Sequence, residues 1–198
     1  STAATSVVKR PSATAMSRRD PTMAESEVLS RQAPLRARYQ DDEAAALITD
    51  EAHTHHATGD ACHSTVRPGV EYDVEVPVGV HRGVGGLHDA PNSGELLAAA
   101  LASCYDTVIR VVADLMGVEL ESLEVHVAGD VDLRGTLQMS PDVRAGFQEM
   151  RCDIRITPAA GTDPETIERL LASAETSCVV GDTLRHGVPV HTTTSIGS

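Results

Sequence analysis

The sequence predicts an α+β fold, in which strands and helices come in paired groups. Residues 121–133 and 147–156 alternate apolar and polar side chains, and they lie between helical patterns that start near residues 93 and 164. A doubly wound parallel sheet would instead repeat one strand and one helix in turn. Apolar residues make up 41% of the 198 residues, which is enough for one substantial core.

Residues 1–24 differ from the rest of the chain, and we expect them to be a disordered or extraneous tail. They are rich in Ser, Thr and Ala, and four basic residues precede the first acid, Asp20. The alternatives are a remnant of a targeting peptide, or sequence upstream of a start at Met16 or Met23. Residues 25–198 are predicted to form a single domain.

The next segments carry weaker signals. A short helix is predicted around residues 34–40, and the polar residues 53–63 are predicted to be irregular. Residues 70–78 alternate apolar and polar, which predicts a strand that ends at Pro77 or lies at a sheet edge. Residues 81–92 form a glycine-rich loop without the spacing of a nucleotide-binding loop.

A long helix is predicted over residues 93–116. Asn92 or the serine after it can cap the helix, and Gly117 can end it. Glu95 places an acid in the first turn, where the helix dipole favours negative charge. Because the helix is apolar on nearly every side through Ala102, we expect that half to be buried.

The strands after this helix are predicted from their period-two pattern. Residues 121–133 form one strand, with a bulge at Gly129, and residues 147–156 form a second strand antiparallel to it. A last short strand is predicted over residues 188–194.

Two further helices are predicted near the end of the chain. Asp163, Pro164 and an acid after them are a helix-start signal, and the apolar residues that follow lie on one face. A short helical segment over residues 179–185 ends at Gly187.

Charge and cysteine content exclude several functions. The chain has 29 acidic and 16 basic residues, a net charge of −13, so we expect no binding to nucleic acid or anionic membranes. Asp106, Arg110 and Asp114 interrupt the most apolar stretch, so we expect no transmembrane helix. Four cysteines are too few for a disulfide scaffold, and we expect free thiols and a cytoplasmic location.

Cys104 and Cys178 lie in the two most helix-like stretches and are a candidate redox pair. Two thiols that meet in the fold can cycle between dithiol and disulfide. Cys104 lies about ten residues into its helix, beyond the first turn where the dipole acts, so a cation must stabilise its thiolate. The alternative is that both are ordinary core residues, and Cys62 and Cys152 are interpreted as bystanders.

The segment 53–63 offers a competing chemistry, a metal site. Its possible ligands are His53, His55, His56, Cys62 and His63. A His-x-His pair on a strand can place two imidazoles on one face. The cluster lacks standard zinc spacing, so a solvated histidine-rich loop is the other interpretation.

Three blocks of the chain share one resemblance. They are NSGELLAAALASCY (92–105), LESLEVHVAGDVD (120–132) leading into GFQEM (146–150), and AETSC (174–178) through VPV (188–190). These blocks resemble the OsmC/Ohr family, the osmotically induced and organic-hydroperoxide-resistance proteins. The first is similar to the family helix Asn-Pro-x-Glu-Leu-x-x-Ala-x-x-x-x-Cys, and the third to the ending Ala-Glu-x-x-Cys-Pro-Val. Together they cover about residues 65–195.

This resemblance implies an OsmC-like fold, with antiparallel or mixed sheets from both chains of an intertwined homodimer wrapped around long central helices. It also implies a peroxidase that reduces organic hydroperoxides with a thiol pair and no cofactor. Cys104 would be the peroxide-attacking cysteine and Cys178 the resolving cysteine. An external dithiol, not identified by the sequence, would be the reductant.

The chain departs from the family pattern at three places. Val179 follows the second cysteine where the family has proline, and Ser93 also replaces a proline. The family holds its thiolate with an arginine that pairs with a glutamate, but residues 59–65 contain no arginine. Arg67 is the candidate for that cation, with Arg82 the other nearby arginine.

Glu95 is the candidate acid, nine residues before Cys104. On one helix this spacing is about two and a half turns, roughly 13 Å, and places the two side chains on opposite faces. Glu95 could therefore act only from a kinked helix start or across a dimer interface; otherwise it is a helix N-terminal acid. The missing arginine prompts a second hypothesis, a catalytically inactive OsmC-like binding or structural protein.

Overall fold

The computed structural model describes residues 26–55 and 59–197, so the interpretation of residues 1–24 lies outside the described residues. Five helices and five strands occur in the described part, with 3-10 turns at Glu43–Ala46 and Arg82–Val84. In chain order they are α1 (Glu27–Asp41), β1 (Ala52–His55), β2 (Ser64–Pro68), β3 (Val76–Val78), α2 (Ser93–Met116), β4 (Leu120–Val131), α3 (Leu133–Thr136), β5 (Phe147–Pro158), α4 (Pro164–Ser177) and α5 (Val179–His186).

The start and end of α2 confirm the prediction for this helix. The Asn92 side chain accepts from the amides of Gly94 and Glu95 at 2.9 and 3.1 Å. The Glu95 carboxylate accepts in return from the Asn92 amide at 2.9 Å, which completes a capping box. Gly117 ends the helix in the left-handed conformation, at φ 68°.

The core lies where α2 meets α4. The buried side chains of α2 and α4, with Cys178 after α4, follow one another at intervals of four residues, which places each set on one helix face. They are Leu101, Tyr105, Ile109 and Ala113 on α2, and Leu170, Ala174 and Cys178. The expectation that the first half of α2 is buried is wrong for one chain, because no residue before Leu101 on this helix is buried.

Strands β4 and β5 form an antiparallel hairpin whose partly buried residues pack on the core, as predicted. Val125 pairs with Ile154, and Val127 pairs with Cys152. The pairing is irregular between Asp130 and Val131, next to the predicted bulge at Gly129.

Strands β1, β2 and β3 form an antiparallel sheet in that order, here called the N-terminal sheet. None of the residues in these strands is buried. The prediction of an irregular segment at 53–63 is wrong at its start, because β1 pairs with β2 and places His53 opposite Arg67. Cross-strand pairing, rather than apolar alternation, holds this strand.

The strand predicted over residues 70–78 is present only at Val76–Val78. The segment before it turns back, so that Arg67 pairs with Asp73 at 2.9 Å and with Glu75 at 3.4 Å. Pro77 lies on β3, which is an edge strand, as expected of a residue that cannot donate a ladder hydrogen bond.

Helix α1 is longer than predicted, because it begins at Glu27 and includes Pro34 within it. The Ser26 hydroxyl caps the helix by accepting from the Leu29 amide, and it also bonds the Asp114 carboxylate of α2. This contact with α2 anchors the start of α1, and the local sequence around Pro34 gives no sign of it.

Helices α4 and α5 confirm the predictions near the end of the chain, including the proline at the start of α4 and Gly187 after α5. The prediction of a last strand at residues 188–194 is wrong. Val188 and Val190 are 60% and 84% exposed, and no strand in the described chain pairs with this segment. Alternation without a neighbouring sheet edge does not make a strand.

By length and composition alone, α2 could cross a membrane. In this fold it is the helix on which β4, α4 and α5 pack, and core helices pass the same test. The expectation that the chain does not bind membranes stays a prediction.

Candidate active site

The structure brings the two predicted redox cysteines into contact. The Cys178 thiol donates to the Cys104 sulfur, and the two Sγ atoms are 3.2 Å apart. Both are free thiols. Since a disulfide bond is about 2.05 Å long, oxidation of the two thiols would need only a small side-chain movement to form the bond.

The packing of α2 and α4 explains this contact. Cys178 continues the buried row of Leu170 and Ala174, at the point where α4 ends and α5 begins. Cys104 precedes the buried Tyr105 on α2, on the side that faces α4 and α5. The two sulfurs therefore lie at the junction of three helices.

The two thiols differ in exposure. Cys178 is completely buried, whereas Cys104 is only half-buried. Of the two residues, Cys104 is therefore the one that retains contact with solvent.

The surroundings of Cys178 act on its pKa in both directions. Burial, followed by the hydrogen bond to Cys104, raises the pKa of Cys178 above its ordinary value. The Gly181 amide, which donates to the Cys178 sulfur at 3.3 Å, and the Arg185 guanidinium lower it. Desolvation is the largest of these effects, so the thiol form predominates in the reduced resting protein.

The sequence analysis missed Arg185, which lies in the last turn of α5. Its Nη2 donates to the Tyr105 hydroxyl at 2.7 Å and to Glu175 Oε1 at 2.9 Å. Its position follows Cys178 by seven residues, or two helical turns, which places both on one face of α5. That spacing was the signal available in the sequence.

Arg67 has a different position. It lies on β2, where its guanidinium pairs with Asp73 and Glu75 and remains half-exposed. Its contacts in this chain are with those acids and not with the sulfur pair, so a catalytic role for Arg67 stays a prediction.

Glu95 is held at the start of α2. It caps the helix with Asn92, and its Oε1 bonds His88 Nε2 at 3.1 Å. These two contacts, the Asn92 amide first, lower the pKa of Glu95. Glu95 therefore bonds groups at the start of α2, nine residues before Cys104. A catalytic role for Glu95 stays a prediction.

Four of the five proposed metal ligands, His53, His55, Cys62 and His63, lie among the described residues. His56 lies outside the described residues, and among residues 26–55 and 59–197 no group of three or more His, Cys, Asp or Glu side chains is placed to hold a metal ion. His63 instead bridges Asp60 and Asp89, at 2.9 Å to each. The described residues therefore give the metal hypothesis no support.

Comparisons with known proteins agree with the fold. The family model of the OsmC-like proteins matches residues 86–193. An organic hydroperoxide resistance protein OsmC from Legionella pneumophila is 23% identical, with a TM-score of 0.53 over 71% of this chain and 91% of that one. An OsmC-like protein of unknown function from Vibrio cholerae is 13% identical, with a TM-score of 0.57 over 69% and 94%.

An OsmC-like protein from Mycoplasma pneumoniae is 12% identical, with a TM-score of 0.57 over 71% of this chain and 89% of that one. No curated protein sequence matches the chain. These TM-scores, all above 0.5, show a common fold, with its long helix and antiparallel sheets, and the family match covers more than half of the chain. The chain therefore belongs to the OsmC-like protein family.

Proposed function

We propose that this protein is a thiol-dependent peroxidase that reduces organic hydroperoxides in defence against oxidative stress. One observation carries the proposal: Cys104 and Cys178, 74 residues apart in sequence, have their sulfurs 3.2 Å apart. The structure of similar fold from Legionella pneumophila is that of an organic hydroperoxide resistance protein, which supports the stress-defence role.

The first step oxidises Cys104. Its thiolate attacks an oxygen of the peroxide, the O–O bond breaks and an S–O bond forms, giving a sulfenic acid. The alkoxide that leaves takes up a proton and departs as an alcohol. We assign this step to Cys104 because it is the more exposed of the two residues.

The second step uses Cys178. Its thiolate attacks the oxidised sulfur of Cys104, so that the S–S bond forms while the S–O bond breaks and hydroxide leaves as water. The direct contact of the sulfurs in the reduced protein means that little movement is needed. An external dithiol then reduces the disulfide by exchange and is itself oxidised.

The core to which Cys178 belongs is built mainly from aliphatic side chains. Val108, Leu171 and Val180 are partly buried and pack against this core, as Cys104 does. Aliphatic surroundings of this kind would suit the alkyl part of an organic hydroperoxide better than a charged substrate.

We also propose that the protein acts as a homodimer in the cytoplasm, where reducing systems keep thiols free. Its N-terminal sheet has no buried residue, and the adjoining Tyr72 and Val74 are 66% and 50% exposed. The first turns of α2 are apolar but not buried. Apolar surfaces of this kind mark interfaces, and a second copy would cover them.

Peroxide consumption in the presence of a dithiol tests the proposal. We expect Cys104→Ser to abolish turnover, and Cys178→Ser to turn over more slowly than the wild type, because only the external dithiol can then reduce the Cys104 sulfenic acid. Cys152→Ser, at an exposed thiol on β5, is the control and should keep the wild-type rate. Equal rates for wild type and Cys104→Ser would contradict the proposal and favour a non-catalytic binding protein.

A further inference from the structure

A positive charge lies beside the sulfur pair, at Arg185. Its guanidinium is fixed by the Tyr105 hydroxyl, 2.7 Å away on α2, and by the Glu175 carboxylate, 2.9 Å away on α4. Tyr105 is the neighbour of Cys104, and Glu175 precedes Cys178 by three residues. Arg185 is therefore tied to both helices that bring the sulfurs together.

Gly181 shows how closely these groups approach one another. A Cβ atom at this position would lie 3.1 Å from the Cys178 sulfur, 3.3 Å from the Tyr105 hydroxyl and 3.4 Å from Arg185 Nη1. The sulfur and the guanidinium thus border the same small space, which only a residue without a side chain leaves open. The Gly181 amide donates to the sulfur from the same side.

We propose that Arg185 supports the negative charge on the Cys178 sulfur while Cys178 attacks oxidised Cys104, and so acts as a positioning residue for the resolving step. This inference rests on the proposed peroxidase function. Cys178 is fully buried, and a buried thiolate needs a nearby cation or hydrogen-bond donors. Arg185 and the Gly181 amide supply both.

The other groups around Cys178 do not supply a cation. Burial raises the pKa of Tyr105, which keeps its hydroxyl protonated and neutral. Glu175 is bound to Arg185 itself. Burial raises the pKa of Cys152 on β5, and Arg185 opposes this effect. Arg185 is the cation that acts on Cys178 in the part of the chain that the structure describes.

The direct test is a titration of Cys178 alone, in a background where Cys62, Cys104 and Cys152 are each replaced by Ser. Thiolate absorbance as a function of pH gives the pKa of Cys178. We expect Arg185→Gln to raise this pKa, because an opposite charge near a thiolate favours the charged form. Arg185→Lys keeps the positive charge, so it should raise the pKa of Cys178 less than Arg185→Gln does.

The matched control is Arg169→Gln, which removes an exposed arginine from α4 that pairs with Glu165, and it should leave the pKa unchanged. If Arg185→Gln does not fold, Arg185→Met keeps the apolar stem without the charge and carries the same expectation. An unchanged pKa of Cys178 in the folded Arg185 variant would overturn the inference, because a merely structural role would not move this titration.

The kinetic test uses the chain with all four cysteines and follows disulfide formation after one addition of peroxide. Arg185→Gln should slow this step about threefold for each pKa unit gained, because a tenfold smaller thiolate fraction is partly offset by the greater nucleophilicity of a more basic thiol. The sulfenic acid of Cys104 should persist correspondingly longer, which labelling with a 1,3-dione at successive times would measure. A resolving rate equal to that of the wild type would contradict the inference.

The two tests separate this inference from the proposed function. If peroxide never oxidises Cys104 in the wild-type chain, the peroxidase proposal fails, and with it the role in resolution. The titration then still decides whether Arg185 stabilises the Cys178 thiolate.

Discussion

The helical half of the molecule and its N-terminal sheet are held together in different ways. Every buried hydrophobic side chain among the described residues lies on α2 or α4 or is Cys178. Strands β1, β2 and β3 contain no buried residue, although they carry Arg67 and adjoin exposed apolar residues. Packing within one chain therefore holds the sulfur pair in place. We propose that the N-terminal sheet, in contrast, is covered by a second copy of the chain.

The largest expected effect is a loss of stability on substitution of a core residue in the helical half. Ile109 is completely buried between α2 and its neighbours, so Ile109→Ala should lower the free energy of unfolding by about 2–5 kcal/mol. Val190→Ala, at a residue that is 84% exposed, should change it by less than about 0.5 kcal/mol. Urea denaturation measures both, and similar values would contradict the placement of the core.

The next effect concerns pH, because burial raises the pKa of Cys178 from 9.0 to about 11. A raised pKa stabilises the folded protein below the ordinary pKa, and this stability is lost as pH rises toward the raised value. We expect the reduced protein to lose up to about 2 kcal/mol between roughly pH 9 and pH 11. Cys178→Ala should remove this loss and Cys62→Ser should keep it; equal pH slopes for the two variants would contradict the account.

A smaller effect tests the proposed dimer. Tyr72→Ser removes an exposed aromatic side chain beside the N-terminal sheet and should weaken dimerisation about tenfold, or about 1.4 kcal/mol. Met139→Ser changes a similarly exposed side chain outside that region and should not. Sedimentation equilibrium measures the association, and a wild-type chain that stays monomeric at every concentration would refute the dimer.

The smallest effect is at the connection between the two regions. His63, just before β2, bonds Asp89, in the loop before α2, and Asp60, and these hydrogen bonds raise the pKa of His63. Its contribution to stability should be present below its ordinary pKa of 6.5 and fall as pH rises through the raised value.

Thermal unfolding as a function of pH measures this contribution. His63→Asn should remove the pH dependence, whereas His126→Asn, at an exposed histidine of β4, should retain it. The same pH profile for both variants would show that this bridge carries no stability.

The sequence predicts the helical half best, because its signals are local. The Asn92–Glu95 cap, Gly117 and the proline at the start of α4 each act within one helical turn, and the structure has all of them. The family resemblance paired Cys104 with Cys178, and the structure places their sulfurs in contact.

The remaining features depend on contacts between distant residues. β1 has polar side chains and forms because β2 pairs with it, so the sequence from 53 to 63 gave no strand pattern. Residues 188–194 alternate correctly but have no neighbouring strand in the described chain. Arg185 and Tyr105 are 80 residues apart in the sequence, and their hydrogen bond depends on how α5 packs against α2.

The most direct test of the central claim is to map the thiols after oxidation. Reduced protein is mixed with one equivalent of an organic hydroperoxide without reductant, digested and analysed by mass spectrometry. We expect one disulfide between Cys104 and Cys178, with Cys62 and Cys152 still free. Two unmodified thiols with the peroxide unconsumed, or oxidation confined to Cys62 or Cys152, would contradict the assignment of a redox pair.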